Sequence, residues 1–158
     1  MIPSVPSLRS RARALLAAST LLLSGPLLAE DATVQAVGVK FEPLVAYIEP
    51  GENVTWTGMA AHNVETIGAM IPEGGVEMNT PIGDEVNQTF DVPGIYVYKC
   101  TPHWGTRMGG VIVVGTPEMP QATLDAYLEA IESDRAGLLP AKGLIKKAAK
   151  DMEAKGLM

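Results

Sequence analysis

The sequence has 158 residues, with 18 acidic against 12 basic residues and a formal net charge of −6. Because nucleic acids and anionic membranes attract cationic surfaces, this balance argues against both as partners. It is compatible with attraction to a basic protein, or with simple solubility. The acidity is concentrated between residues 30 and 115, where eleven acidic residues accompany three basic ones, Lys40, Lys99 and Arg107.

Residues 1–29 have the pattern of a secretory signal peptide. The segment starts with positive charges, at Arg9, Arg11 and Arg13. The apolar run 14–29 is broken near its end by Ser-Gly-Pro, and it is shorter than the roughly 20 residues that a transmembrane helix needs. We therefore expect cleavage after Ala29, export to the periplasm and no membrane attachment afterwards. A short membrane anchor is the alternative.

Residues 30–115 have the pattern of short strands separated by turns, which predicts an all-β domain, a Greek-key β-sandwich. Strands are expected at 33–39, at 47–57 on both sides of a Glu-Pro-Gly turn, and at 63–65, 86–90, 94–100 and 111–114. We expect Trp56, Tyr96 and Tyr98 to pack in the core. The Tyr96 hydroxyl is also close enough along the chain to bond the backbone near Asp91 and hold that corner.

Residues 116–158 are expected to form a helical extension packed on the sandwich. Apolar residues recur at helical spacing in two segments, the first of them after Pro120, which suits a first helical turn. They are Leu124, Tyr127, Leu128 and Ile131, then Leu144, Ile145, Ala148 and Met152. The Ala-Gly-Leu-Leu-Pro stretch at 136–140 separates the segments. The pattern therefore predicts two C-terminal α-helices after the sandwich.

The residues with metal-binding chemistry are few. Cys100 is the only cysteine, His62 and His103 are the only histidines, and Met108 lies on the same predicted loop as Cys100. A thiolate, two imidazoles and a weakly bound thioether are the ligand types of a blue-copper electron-transfer site. A metal bond would also protect a lone thiol in an oxidising compartment. These four residues are therefore predicted to hold one copper ion that cycles between Cu(I) and Cu(II).

Other interpretations of these residues remain open. Cys100 could be a buried inert thiol, and His62 and Met108 could be ordinary core residues. Met59, Met70 and Met78 are competing thioethers, although none of them lies on the Cys100 loop. A copper- or zinc-binding structural module and a small subunit of a copper redox enzyme are the alternative functions. Because one closed site would use all the strong ligands, the chain itself is not expected to be an enzyme.

Three stretches resemble pseudoazurin, a bacterial cupredoxin of the type 1 blue copper class in the plastocyanin/azurin superfamily. They are His-Asn-Val-Glu at 62–65, Met-Ile-Pro-Glu-Gly at 70–74 and Lys-Cys-Thr-Pro-His at 99–103. The resemblance covers about residues 41–155 and implies a cupredoxin-like fold with the copper ligands His62, Cys100, His103 and Met108. It further implies that Asn63 ties its strand to the loop at Thr101. His103 would be the solvent-facing edge for electron entry, with Trp104 beside it in an apolar docking patch.

The resemblance implies transient redox partners, such as a c-type cytochrome, a copper reductase or a dehydrogenase, met by a monomeric carrier. Pseudoazurins typically surround the docking patch with lysines, and the acidic body of this chain departs from that pattern. The segment before Phe41 is also short, so the first strand and its loop are expected to differ. Pro102 stiffens the ligand loop and has no N–H to offer the thiolate, which is expected to lower the reduction potential.

Overall fold

The computed structural model describes residues 31–158. The predicted signal peptide, residues 1–29, lies outside the described residues. Within the described part, no helix has both the length and the apolar character needed to cross a membrane.

Eight strands form two four-stranded sheets. The first sheet, in the order β2-β1-β4-β6, contains β1 (Ala32–Val37), β2 (Lys40–Glu42), β4 (Glu52–Thr57) and β6 (Val86–Phe90). The second, in the order β3-β8-β7-β5, contains β3 (Val45–Ile48), β5 (Glu65–Thr66), β7 (Gly94–Lys99) and β8 (Gly109–Val114). Each sheet is mixed, because β1 pairs with β4 and β3 with β8 in parallel. This architecture confirms the predicted β-sandwich.

One predicted strand is shorter than the sequence suggests. The strand expected at 63–65 is reduced to β5, which pairs with β7 through Glu65 and Thr66. The Val64 N–H donates instead to the Thr80 hydroxyl at 2.9 Å, and the Thr80 N–H returns a bond to the Val64 carbonyl at 3.0 Å. These local bonds to the 79–80 segment replace the expected sheet ladder, and they fix the chain that follows His62.

The core has two layers, one between the sheets and one between the second sheet and the helices. Trp56, Tyr96 and Tyr98 are fully buried between the sheets, as predicted. The Tyr96 hydroxyl donates to the Val92 carbonyl at 2.8 Å, so it does hold the corner after β6. Cys100 and Met108 belong to the same inter-sheet cluster, which places the predicted metal loop at one end of the core.

The extension contains α1 (Pro120–Ser133), a single turn α2 (Arg135–Leu138) and α3 (Ala141–Ala154). α1 begins at Pro120, as predicted, and the predicted break between the two long helices contains the extra turn α2. The apolar faces of α1 and α3 cover the outer side of β7 and β8. The buried Tyr127 hydroxyl donates to the Ile95 carbonyl at 2.6 Å, which joins α1 to β7. The extension is therefore packed on the second sheet.

We predict that Gly110→Ala destabilises the sandwich. A Cβ at Gly110 would overlap the Tyr98 hydroxyl oxygen and lie 2.5 Å from Cζ of the same ring, so a fully buried side chain must move. Overpacking of this kind costs about 1–3 kcal/mol. Urea unfolding of the metal-free protein measures it. Gly68→Ala is the control, since its Cβ would meet nothing within 4 Å; equal stability of the two variants would contradict the prediction.

Candidate metal centre

The predicted ligand loop joins the two central strands of the second sheet. β7 ends at Lys99, Cys100 follows, and Thr101–Thr106 form a 3-10 helix with Pro102 in its first turn. Arg107 ends this helix in the left-handed conformation, with φ of 67°, and β8 begins at Gly109. Since β7 and β8 pair in register up to Lys99 and Gly109, both ends of the loop leave from fixed positions.

Three predicted ligand side chains meet at one point. The Cys100 Sγ lies 3.4 Å from Nδ1 of His103 and 3.6 Å from Nδ1 of His62. Metal bonds of about 2.0 Å to nitrogen and 2.3 Å to sulfur would separate such atoms by roughly 3.3–3.8 Å. All three ligand atoms lie within 4.8 Å of one another, and in residues 31–158 no other group of His, Cys, Asp and Glu with this geometry is found. The donor set therefore fits one metal ion.

Met108 is the predicted thioether ligand. Its side chain is fully buried in the cluster that contains Cys100. The Met108 carbonyl accepts from the Cys100 N–H at 2.9 Å, and the Met108 N–H donates to the His103 carbonyl at 3.2 Å. Met59 lies in the same cluster. Its carbonyl accepts from the His62 N–H at 2.9 Å, but its backbone bonds neither Cys100 nor His103. Met108 is thus the thioether that is tied to two of the other ligand residues.

Burial favours the neutral, metal-binding form of His62. The side chain is 8 % exposed and packs edge-on to Phe41, with ring centroids 6.4 Å apart. Desolvation lowers the pKa of His62, and the nearby charge of His103 lowers it further. A metal ion needs the deprotonated imidazole, so this environment reduces the competition from protons.

A reciprocal pair of hydrogen bonds joins the two loops that carry the ligands. The Thr101 N–H donates to Oδ1 of Asn63 at 2.7 Å, and Nδ2 of Asn63 donates to the Thr101 hydroxyl at 3.2 Å. Asn63 itself is buried and follows His62 directly. The link between Asn63 and Thr101 that the resemblance implied is therefore present, and it holds Cys100 beside His62.

The sequence did not point to Glu65 as a member of this network. The Thr101 hydroxyl donates to Oε2 of Glu65 at 2.5 Å, and Lys99 forms an ion pair with Oε1 at 3.0 Å. The Thr101 hydroxyl bond is the main cause that lowers the pKa of Glu65, and Lys99 lowers it further against the opposing effect of desolvation. The signal was the position of Glu65 opposite Lys99 on adjacent strands, which only the strand register reveals.

The outer surface of the site is formed by the ligand loop. His103 and Trp104 are half-buried, whereas Thr101, Pro102, Gly105, Thr106 and Arg107 are exposed. The Trp104 indole N–H donates to the Gly137 carbonyl of α2 at 2.7 Å, so one edge of the ring faces the helical extension. The docking role of Trp104 stays a prediction.

A groove with three cations lies beside the loop. Its volume is about 340 Å³, and it is lined by β2, the ligand loop and α3, including Lys40, Arg107, Lys147 and Glu42. None of the three cations makes an ion pair within residues 31–158, whereas Lys99 is paired with Glu65. The two unpaired basic residues of the acidic sandwich are therefore both at this groove.

The chain matches the family described as copper binding proteins, plastocyanin/azurin family, over residues 29–115. It belongs to this family of copper-binding proteins. A putative pseudoazurin of Rhizobium leguminosarum bv. viciae is 34% identical over 134 residues, covering 72% of this chain and 88% of that protein. The pseudoazurin of Methylorubrum extorquens is 33% identical over 114 residues, covering 65% and 77%.

The fold agrees with solved pseudoazurin structures. A pseudoazurin from Sinorhizobium meliloti superposes with a TM-score of 0.55 at 33% identity, covering 61% of this chain and 79% of that one. The pseudoazurin of Methylobacterium extorquens AM1 superposes with a TM-score of 0.61 at 25% identity, covering 75% and 99%. The predicted cupredoxin-like fold is confirmed, and the cofactor of this family is copper.

We predict that Glu65→Gln lowers stability at neutral pH but not in acid. A depressed folded pKa means that the Glu65 carboxylate stabilises the fold above its ordinary pKa of 4.5, and that this contribution disappears as pH falls through the folded value. Because the ion pair is partly exposed, the expected loss at pH 7 is about 1 kcal/mol. Urea unfolding of the metal-free protein between pH 7 and about pH 3.5 measures it.

Glu77→Gln is the matched control, since Glu77 is exposed beside the same region and is expected to change stability little at any pH. A stability difference for Glu65→Gln that is constant across this pH range would show that the carboxylate charge contributes nothing.

Proposed function

We propose that this protein is a one-electron carrier with a single type 1 copper ion held by His62, Cys100, His103 and Met108. The observation that carries the proposal is the convergence of both Nδ1 atoms on Sγ of Cys100, at 3.4 and 3.6 Å. When bound by such ligands, copper would supply a Cu(I)/Cu(II) couple that accepts and releases one electron.

The protein's contribution is to hold these donors still. Asn63 and Thr101 fix the two ligand-bearing loops to each other, and the strand pairing of β7 with β8 fixes both ends of the Cys100 loop. Pro102 restricts the first turn of the loop and offers no N–H to the thiolate. Small movement of the ligands is the condition for rapid electron exchange, and these constraints favour it.

A carrier is favoured over an enzyme by the closure of the site. Cys100 and Met108 are fully buried and His62 nearly so, while His103 is half-buried. A catalytic metal needs an open position for substrate, whereas an electron needs only a short path to the surface. We infer that the electron passes through the exposed edge of His103, with Trp104 beside it.

The location and partners follow from the same hypothesis. We propose export to the periplasm by residues 1–29, a copper-carrying sandwich at 30–115 and a packed helical extension at 116–158. The partners would be redox proteins such as a c-type cytochrome, a copper reductase or a dehydrogenase, bound transiently by a monomer through a small interface. The relatives named pseudoazurin support this interpretation.

A structural module that binds zinc or copper is the competing function. Zinc would suit the same two imidazoles and thiolate, and it would be colourless and redox-silent. Metal analysis of protein purified from its native compartment, together with its visible spectrum, separates the two. Stoichiometric zinc without a visible band would contradict the carrier hypothesis.

We predict that Cys100→Ser abolishes the intense visible band of the copper-loaded protein. The band arises from the thiolate bond, and a hydroxyl cannot replace it. Absorption and electron paramagnetic resonance spectra after copper addition measure the change. Met108→Gln is the comparison variant: it should keep an intense band, because the thioether would be the weakest of the four donors, and it should lower the reduction potential. A retained band in Cys100→Ser would show that the assignment of Cys100 as a copper ligand is wrong.

We predict that Arg107→Gly slows oxidation of the reduced protein by an anionic reagent such as ferricyanide. The change removes one positive charge beside the ligand loop, and at about 0.1 M ionic strength we expect about a twofold lower rate constant. The backbone tolerates glycine well, because φ of 67° favours it. Stopped-flow kinetics at several salt concentrations measure the rate.

Lys150→Gln is the matched control, because Lys150 is an exposed residue of α3 that does not line the groove. Equal rate constants for the two variants at low salt would show that the groove does not steer the reagent.

A further inference from the structure

The side chain of Trp104 connects the ligand loop to the helical extension. The Trp104 indole N–H donates to the Gly137 carbonyl at 2.7 Å, across 33 residues of sequence. Gly137 belongs to α2, where its own N–H is held by Oδ1 of Asp134 at 3.1 Å. The acceptor of the indole bond is therefore part of a capped turn.

The backbone of Trp104 is part of the turn that closes around the ligands. Its carbonyl accepts from the Arg107 N–H at 2.9 Å. The carbonyl of the preceding residue, His103, accepts from the Met108 N–H at 3.2 Å. The indole is therefore attached to a peptide segment that lies directly between two proposed copper ligands.

A second contact from the extension lies on the other side of Met108. A Cβ at Gly109 would come within 2.7 Å of Cδ1 of Leu144 and 3.3 Å of Cζ3 of Trp104. Leu144 of α3 and the indole thus close over the first residue of β8, and only a glycine allows that approach. The extension therefore contacts the chain on both sides of Met108, at Trp104 of the loop and at Gly109 of β8.

We propose that Trp104 is a positioning residue, through which the helical extension holds the copper-ligand loop in place. The proposal rests on the carrier function proposed above, because it assigns a consequence to the positions of His103 and Met108. Gly137 and Leu144 both lie beyond residue 115, where the match to the copper-binding family ends. The extension therefore adds a constraint from outside the matched domain, on the loop that carries three of the four proposed ligands.

The test compares two variants that each remove one hydrogen bond between the extension and the sandwich. Trp104→Phe removes the bond to Gly137 at the ligand loop. Tyr127→Phe removes the bond from the buried hydroxyl to Ile95, in the middle of β7. Both are expected to lower global stability, so stability alone does not distinguish a positioning role from general packing.

Amide hydrogen exchange of the metal-free chain distinguishes a positioning role of Trp104 from general packing. In Trp104→Phe the amides of Arg107 and Met108 should exchange about fivefold faster than expected from the global stability loss, the factor that corresponds to one net hydrogen bond of about 1 kcal/mol. In Tyr127→Phe the exchange rates of these two amides should rise only as much as the loss of global stability predicts. Asp134→Ala, an exposed substitution that removes the side-chain bond to the Gly137 N–H, should make the same two amides exchange faster although no residue of the loop is changed.

The copper-loaded protein provides an independent measurement. Trp104→Phe should shift the visible band and the copper hyperfine splitting, and Tyr127→Phe should leave both as in the natural chain. Unchanged loop exchange and unchanged spectra in Trp104→Phe would overturn the proposal, even if reaction with redox partners became slower, because Trp104 would then act only at the docking surface. If the natural chain binds copper without an intense band, the proposed carrier function is wrong. The exchange experiment still tests whether the Trp104–Gly137 bond holds the loop in place.

Discussion

The reciprocal hydrogen bonds between Asn63 and Thr101 are the constraint on which the metal centre depends. His62 comes from the loop before β5, and the other three proposed ligands come from the loop between β7 and β8. β5 contributes only two paired residues to the sheet, which is a weak attachment for a ligand-bearing segment. The Asn63–Thr101 pair adds a direct bond at the residues next to His62 and Cys100, where a small displacement would matter most.

The parts of the site that are close in sequence were the parts that sequence could predict. Cys100, His103 and Met108 lie on one loop, and the rarity of cysteine and histidine in the chain left few alternatives for the fourth ligand. Most of the strands and the two long helices followed from hydrophobic periodicity and turn residues, whereas β2 at Lys40–Glu42 was not predicted. The contacts that Glu65, Gly137 and Leu144 make near the loop were not predicted, because they depend on strand register and helix docking. No local pattern distinguishes these residues from other surface or core residues.

The net charge of the sandwich and the charged residues beside the ligand loop act on a partner at different distances. The acidic sandwich sets the long-range field, which repels anionic molecules and attracts cationic ones. Close to the ligand loop the balance of charge is different, since Lys40, Arg107 and Lys147 line one groove in which Glu42 is the acidic residue. Net charge alone would therefore misjudge the surface that a partner meets at contact. With a Debye length of about 8–10 Å at physiological salt, the local groups dominate once two proteins touch.

Rigidity and access make opposite demands on the same loop. An electron carrier needs donors that barely move, which calls for burial and for many bonds, and it also needs a short exposed path for the electron. The loop meets both demands because its two ends are buried and its middle part is more exposed. Cys100 and Met108 are buried and bonded at the base, and His103 and Trp104 are half-buried at the outer side. Because exposed residues pack poorly by themselves, the outer side needs support from elsewhere, and the bond from Trp104 to the Gly137 carbonyl is one contact through which the extension supplies it.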